Sequence, residues 1–171
     1  MRPLSTLFVS ICGFSAALFA TTASANLQVS FIEGAPKDRF QIENMGTCNV
    51  SASTLRLDLS TSKGALIFDV TRDGAGVEVF QTFEMLQGGA ALSEIPNVVD
   101  GQSSMDLAIS KLAPGAVIAF SIDVDDTVGQ REITVAGSEI DGATASLIKG
   151  QETTISTFTS QAYTALSLSS C

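Results

Sequence analysis

The stretch Val117-Ile-Ala-Phe-Ser-Ile-Asp-Val124 decides the fold class of this 171-residue chain. Four larger apolar side chains occupy every second position, and smaller or polar ones lie between them: Ile118, Phe120, Ile122 and Val124 against Ala119, Ser121 and Asp123. Successive side chains of an extended chain point to opposite faces, so this period of two predicts a β-strand with one buried and one wet face.

The same alternation recurs on both sides of that stretch. It runs through Phe40 and Ile42, through the leucines of 55–59, and through Met105, Leu107 and Ile109. A short apolar run at 66–68, a strand carrying Val77, Val79 and Phe83, and a weaker one at 145–149 complete the pattern. Turn residues such as Asp73-Gly74, Asp100-Gly101 and Pro114-Gly115 separate these runs. Short strands at this spacing predict an all-β, immunoglobulin-like antiparallel β-sandwich.

The N-terminus has the pattern of a secretory signal peptide. Arg2 supplies a positive charge, residues 7–20 are mostly apolar, and Ala23-Ser24-Ala25 suits a signal peptidase. The apolar stretch is shorter than the roughly 20 residues that a spanning helix needs. We therefore expect residues 1–25 to be a signal peptide and residues 26–171 to form a single β-sandwich domain, exported to the periplasm or the extracellular space.

The charge of the chain limits its partners. The net charge is −9, and it becomes −10 when Arg2 is removed with the signal peptide (−9 − 1). Such a surface repels nucleic acid and anionic membranes and attracts cations. We expect no nucleic-acid partner and no integral membrane segment in the mature chain.

Two cysteines remain beyond the signal peptide, Cys48 and Cys171. An exported protein meets oxidising conditions, in which such a pair forms a disulfide. The alternative is two free thiols. A bridge would tie an early strand to the last residue of the chain and stabilise it by up to ~5 kcal/mol in the chain-entropy model.

Several catalytic chemistries are excluded by composition. Without histidine there is no Ser-His-Asp triad and no imidazole metal ligand, and two cysteines cannot form a four-cysteine zinc site. No Gly-rich phosphate loop precedes a helix pattern. Paired carboxylates could serve glycoside hydrolysis, but the chain has no Trp and one Tyr for sugar stacking. The sequence therefore favours a binding protein over an enzyme.

Acidic residues gather where predicted strands end. Asp123 and Asp125 are predicted to leave their strand on the same wet face, about 6.6 Å apart at ~3.3 Å per residue. Clustered carboxylates repel one another unless a cation intervenes, and calcium takes six to eight oxygens. The candidate calcium ligands are Asp123, Asp125, Asp126, Glu33, Asp69, Glu139 and Asp141. The alternative is that these acids form turns and keep the surface soluble.

Three segments carry a resemblance to a known family: Glu33-Gly-Ala-Pro-Lys-Asp-Arg-Phe40; Leu66-Ile-Phe-Asp69 with Gly74-Ala-Gly-Val-Glu-Val-Phe80; and Phe120-Ser-Ile-Asp-Val-Asp-Asp-Thr127 with Arg131-Glu-Ile-Thr-Val135. They resemble the small secreted bacterial proteins called aggregation factor core, over roughly residues 27–149. The resemblance implies calcium-dependent cell adhesion and assigns no binding residues.

The first hypothesis is therefore a secreted adhesion module, calcium-dependent, that binds a cell-surface or matrix component such as a polysaccharide. The second is a metal-free periplasmic structural or accessory domain. The third is a carbohydrate-active enzyme.

Overall fold

The computed structural model of the chain describes residues 25–35, 37–77, 80–128 and 134–168. Within these ranges the chain forms ten strands, two short 3-10 turns and no α-helix. The strands are β1 (Ala25–Ile32), β2 (Asp38–Asn44), β3 (Ser53–Asp58), β4 (Ile67–Asp69), β5 (Glu84–Gln87), β6 (Ser104–Ile109), β7 (Val117–Asp125), β8 (Thr144–Lys149), β9 (Glu152–Thr157) and β10 (Tyr163–Leu168). The 3-10 turns are Gly89–Ala91 and Gly137–Ile140.

Two antiparallel sheets form the sandwich. One has the order β10-β1-β2-β7, and the far side of β7 pairs with both β4 and β5. The other has the order β6-β3-β8-β9. The series β1-β2-β7 and β3-β8-β9 correspond to strands A-B-E and C-F-G of an immunoglobulin-type sandwich. The predicted all-β sandwich is confirmed.

The core lies between the sheets and follows the alternation read from the sequence. Phe40 and Ile42 on β2 and Ile118 and Phe120 on β7 are fully buried. Phe120 stacks on Phe40 with ring centroids 5.4 Å apart. Burying one such side chain stabilises the fold by roughly 1.5–3 kcal/mol, so these inward rows hold the two sheets together.

The outer face of β7 departs from the prediction. The prediction that this face is exposed to solvent is wrong, because Ala119, Ser121 and Asp123 are only 5%, 3% and 4% exposed. Short strands β4 and β5 both pair along β7. The segment between them passes close to this face, since the Val77 N–H donates to Asp125. Alternation along one strand gives no information about such a cover from elsewhere in the chain.

The segment between β4 and β5 also corrects a predicted strand. Val77 and residues 80–83 lie outside strands, and β5 begins at Glu84 instead. Val79 lies outside the described residues. Phe83 nonetheless packs on the core, with its ring centroid 4.8 Å from that of Phe120.

Two predictions about the chain ends lie largely outside the described residues. Of the predicted signal peptide, only Ala25 is described, as the first residue of β1. Cys48 packs against the core as a partly buried side chain. Cys171 is not among the described residues, so the disulfide stays a prediction. In the described part of the chain, no helix has the length and apolar character needed to cross a membrane.

Candidate metal site

Three aspartates meet on the outer side of β7. Asp69 is the last residue of β4 and lies directly opposite Asp123 of β7, and Asp125 follows two residues later. The pleat of the strand places Asp123 and Asp125 on the same face. One carboxylate oxygen from each of the three lies within 4.8 Å of those of the others. Their residues are 0%, 4% and 1% exposed, so this is a buried cluster of like charges.

Asp69 is the least satisfied member of the cluster. Both of its carboxylate oxygens are buried, and no donor among the described residues bonds to either of them. The neighbouring Thr71 N–H donates to Asp100 Oδ1 at 3.0 Å, and its interaction with Asp69 is too weak to offset the burial of that carboxyl. A buried carboxylate without donors is costly, because its hydration is lost and nothing replaces it. The arrangement therefore calls for a proton or a cation.

The electrostatics of the cluster agree with this requirement. Burial raises the pKa of Asp69 to about 7, and a hydrogen bond from its protonated form to the Asp100 carboxylate, together with the charges of Asp125 and Asp100, adds to the rise. Burial also raises the pKa of Asp123 to about 7, with contributions from the charges of Asp125, Asp38 and Asp69. Near neutral pH these groups do not all ionise without a positive charge between them.

Asp38 is a further buried acid beside the cluster, and it was not among the predicted ligands. Its oxygens accept hydrogen bonds from the backbone N–H groups of Gly34 (3.1 Å) and Val124 (3.2 Å). Burial raises its pKa to about 7 against the effect of those two bonds. The available signal was its phase: Asp38 falls in step with the inward residues Phe40 and Ile42, which predicts burial.

Asp100 was also missed as a functional residue and was considered only as a turn residue. Its carboxylate accepts the N–H groups of Val70 (2.9 Å), Thr71 (3.0 Å) and Ala75 (2.7 Å). Burial acts to raise the pKa of Asp100, but these donors outweigh it and hold the pKa below its usual value. Asp100 therefore remains charged and anchors residues 70–77, which we call the cap loop.

The cap loop lies directly on the cluster. The Val77 N–H donates to Asp125 Oδ2 at 2.6 Å. A Cβ added to Gly76 would lie 2.2 Å from Asp125 Oδ2 and 2.3 Å from Asp69 Oδ2. Only glycine permits the backbone to come so close, so residue 76 fits the loop over the carboxylates.

The remaining predicted ligands lie outside the three-aspartate cluster. Asp126 is buried next to Asp125 but is not part of it. Glu33 accepts a hydrogen bond from the Gly137 N–H, and Glu139 accepts one from the Ala136 N–H at 2.6 Å. Asp141 pairs with Lys63 at 2.5 Å. Glu33, Glu139 and Asp141 thus serve loop contacts.

The donor set suits a hard cation. Three carboxylates offer up to six oxygens, and calcium is bound by carboxylates together with backbone carbonyls and water. Among the described residues, no nitrogen or sulfur ligand joins the cluster, which disfavours zinc and other softer transition metals. The residues present therefore fit calcium.

Two surface pockets are lined by residues outside the cluster. One pocket is lined by residues including Arg56, Asp106 and Met105, and another by residues including Val70 and Phe83. The cluster aspartates line neither of these two pockets. A large substrate bound in either pocket would not contact the carboxylates directly.

Comparisons with known proteins gave no match to a family model, a curated protein or a solved structure. The resemblance to aggregation factor core proteins therefore stays a prediction.

Proposed function

We propose that this chain is an exported, non-enzymatic binding module whose sandwich holds a calcium ion, and that it attaches to a cell-surface or matrix component. The observation that carries the calcium proposal is the Asp69 carboxylate. It is fully buried, no described donor bonds to either oxygen, and it faces Asp123 and Asp125. A divalent cation would neutralise this group and supply the partner that its oxygens lack.

The burial of the cluster supports binding rather than catalysis. Carboxylates with pKa values near 7 can act as general acids and bases, but a catalytic group must reach its substrate. Asp69, Asp123 and Asp125 are at most 4% exposed, and the cap loop lies over them. Such a site suits a structural ion better than a reaction centre.

The adhesion part of the proposal has two supports, the charge of the chain and its resemblance to a known family. The chain carries a net charge of −9, and the resemblance to aggregation factor core proteins implies adhesion. An acidic, calcium-stabilised sandwich suits attachment to an extracellular partner such as a polysaccharide. The competing proposal is a metal-free accessory domain, in which protons rather than calcium neutralise the cluster. Its support is the pKa of about 7 at Asp69 and Asp123.

Thermal unfolding at pH 8 with and without calcium separates these proposals. A ligand that binds only the folded state stabilises it by about 2.7 kcal/mol at 100 times its dissociation constant. For a domain of this size that corresponds to a rise in Tm of roughly 5–10 °C. We expect this rise in millimolar calcium, and we expect Asp69→Asn to abolish it.

The matched control is Asp141→Asn, which removes the same charge from a predicted ligand that instead pairs with Lys63. It should keep the calcium response. If calcium leaves the Tm of the unaltered chain unchanged, the metal-free domain is the better description.

Adhesion needs its own test. Fluorescently labelled protein should be retained on chelator-washed bacterial cells when calcium is added, and Asp69→Asn should be retained less. Equal retention of both proteins in a chelator would show attachment that does not depend on calcium. Release of reducing sugar from polysaccharide would instead support the enzyme hypothesis.

A further inference from the structure

Two carboxylates accept hydrogen bonds from backbone N–H groups of the cap loop, residues 70–77. Asp100 accepts three of its N–H groups, from Val70, Thr71 and Ala75. Asp125, a cluster member, accepts a fourth from Val77. The loop has no regular secondary structure, and residues 71–75 are exposed. A movement of either carboxylate would therefore act on the position of the loop.

One of the two anchors belongs to the candidate metal site. The Asp125 carboxylate accepts the Val77 N–H through Oδ2, and the same carboxylate lies with Asp69 and Asp123 in the cluster. When the cluster carboxylates repel one another, their lowest-energy response is to move apart. Movement of Asp125 would break its bond to the loop, and movement of Asp69 would press against Gly76, whose backbone lies close to both carboxylates.

We propose that the cap loop is a calcium-dependent strap: cation binding holds Asp69 and Asp125 in place and thereby fixes residues 70–77 over the sheet. This inference rests on the proposed calcium site and adds its conformational consequence. The strap also borders the pocket that includes Val70, Thr71 and Phe83. Its order therefore determines the shape of one wall of that pocket.

Amide hydrogen exchange measures directly how firmly calcium holds the strap. Calcium should slow exchange in residues 70–77 by about tenfold or more, because exchange there reports local opening of the loop rather than global unfolding. Residues 149–152 form the turn between β8 and β9, which belong to the sheet that does not carry the cluster. Exchange in this turn is the internal reference and should not change.

Gly76→Ala tests the contact between strap and site. The added Cβ would lie 2.2–2.3 Å from carboxylate oxygens, so the loop must shift away. Calcium should then protect residues 70–77 by less than about threefold, as expected of a loop opened locally. Gly89→Ala is the matched control, because its Cβ would meet only the Met85 side chain at 3.3 Å. It should retain the full calcium effect.

Asp100→Asn is a second variant that spares the three cluster aspartates. It weakens the other anchor, so we expect faster exchange at residues 70–75 while calcium still raises the Tm. A calcium-induced rise in Tm with unchanged exchange at 70–77 would overturn the strap and leave the metal site standing. Equal protection in Gly76→Ala and the unaltered chain would overturn it too. Absence of any rise in Tm would overturn both proposals.

Discussion

Among the charged residues that lie directly opposite one another across neighbouring strands, two pairs differ in both charge and burial. Arg56 of β3 faces Asp106 of β6, with Nε 2.8 Å from Oδ1 and a second bond from the guanidinium to Oδ2. Asp69 of β4 faces Asp123 of β7. The first pair is of opposite charge and about half exposed, whereas the second is of like charge and buried.

The comparison shows where the fold supplies its own counter-charge. Like charges directly opposite in a sheet are destabilising, and burial strengthens the repulsion. The chain places an arginine against Asp106, where water would have screened the carboxylate anyway. Among the described residues, it places no cation in a salt bridge with Asp69 or Asp123, where one is needed most. An external cation or bound protons would complete the second pair.

The largest predicted effect is an unusual dependence of stability on pH. Asp69, Asp123 and Asp38 have pKa values raised from 3.8 to about 7 in the folded chain. The folded state therefore binds protons more tightly than the unfolded state. Without calcium, stability should be full below about pH 4 and should decline as the pH rises through 7. One pKa unit is worth about 1.36 kcal/mol, so a coupled cluster should lose on the order of 4 kcal/mol.

Thermal unfolding in a chelator from pH 4 to pH 8 measures this decline, which should be roughly 10 °C or more. Calcium should restore most of it at pH 8. The pair Arg56–Asp106 has the opposite pH dependence. The guanidinium lowers the pKa of Asp106, so the stability that this pair contributes is lost only as the pH falls below about 4. A chelated protein that is most stable at pH 8 would contradict this account of the cluster.

A medium effect is expected from removing one charge of the buried pair. At pH 8 in a chelator, Asp69→Asn should raise the free energy of unfolding by about 1–2 kcal/mol, because it relieves a like-charge contact in a buried setting. Asp106→Asn is the matched substitution in the other pair and should lower the free energy. Urea unfolding of both variants gives the two signs. Destabilisation by both variants would show that the Asp69 carboxylate has a stabilising partner in the folded chain that outweighs the repulsion from Asp123.

Much of the fold could be predicted from the sequence, because period-two alternation records which face of a strand meets the core. Phe40, Ile42 and Phe120 were placed inward correctly for that reason. The burial of Asp123 and Asp125 could not be predicted, since it depends on two short strands and a loop that are distant in sequence. Asp125 and Asp69 were among the seven predicted ligands. Strand register decides which of these acids meet, and the amino-acid composition carries no information about register.

The smallest predicted effect belongs to the exposed pair. A double-mutant cycle with Arg56→Met and Asp106→Asn should give a coupling of about 0.5–1 kcal/mol, as expected for a bidentate ion pair on the surface. Calcium should leave this coupling unchanged, because the pair lies on the other sheet. A coupling that changes with calcium would mean that the two pairs are not independent.

The most direct test of the central claim is a calorimetric titration of calcium at pH 7 in two buffers with different ionisation enthalpies. We expect one calcium ion bound per chain and a net release of protons, because ligation ionises groups whose pKa lies near 7. Both signals should disappear in Asp69→Asn. Binding without proton release, or no binding at all, would contradict the claim that a cation neutralises the aspartates of β4 and β7.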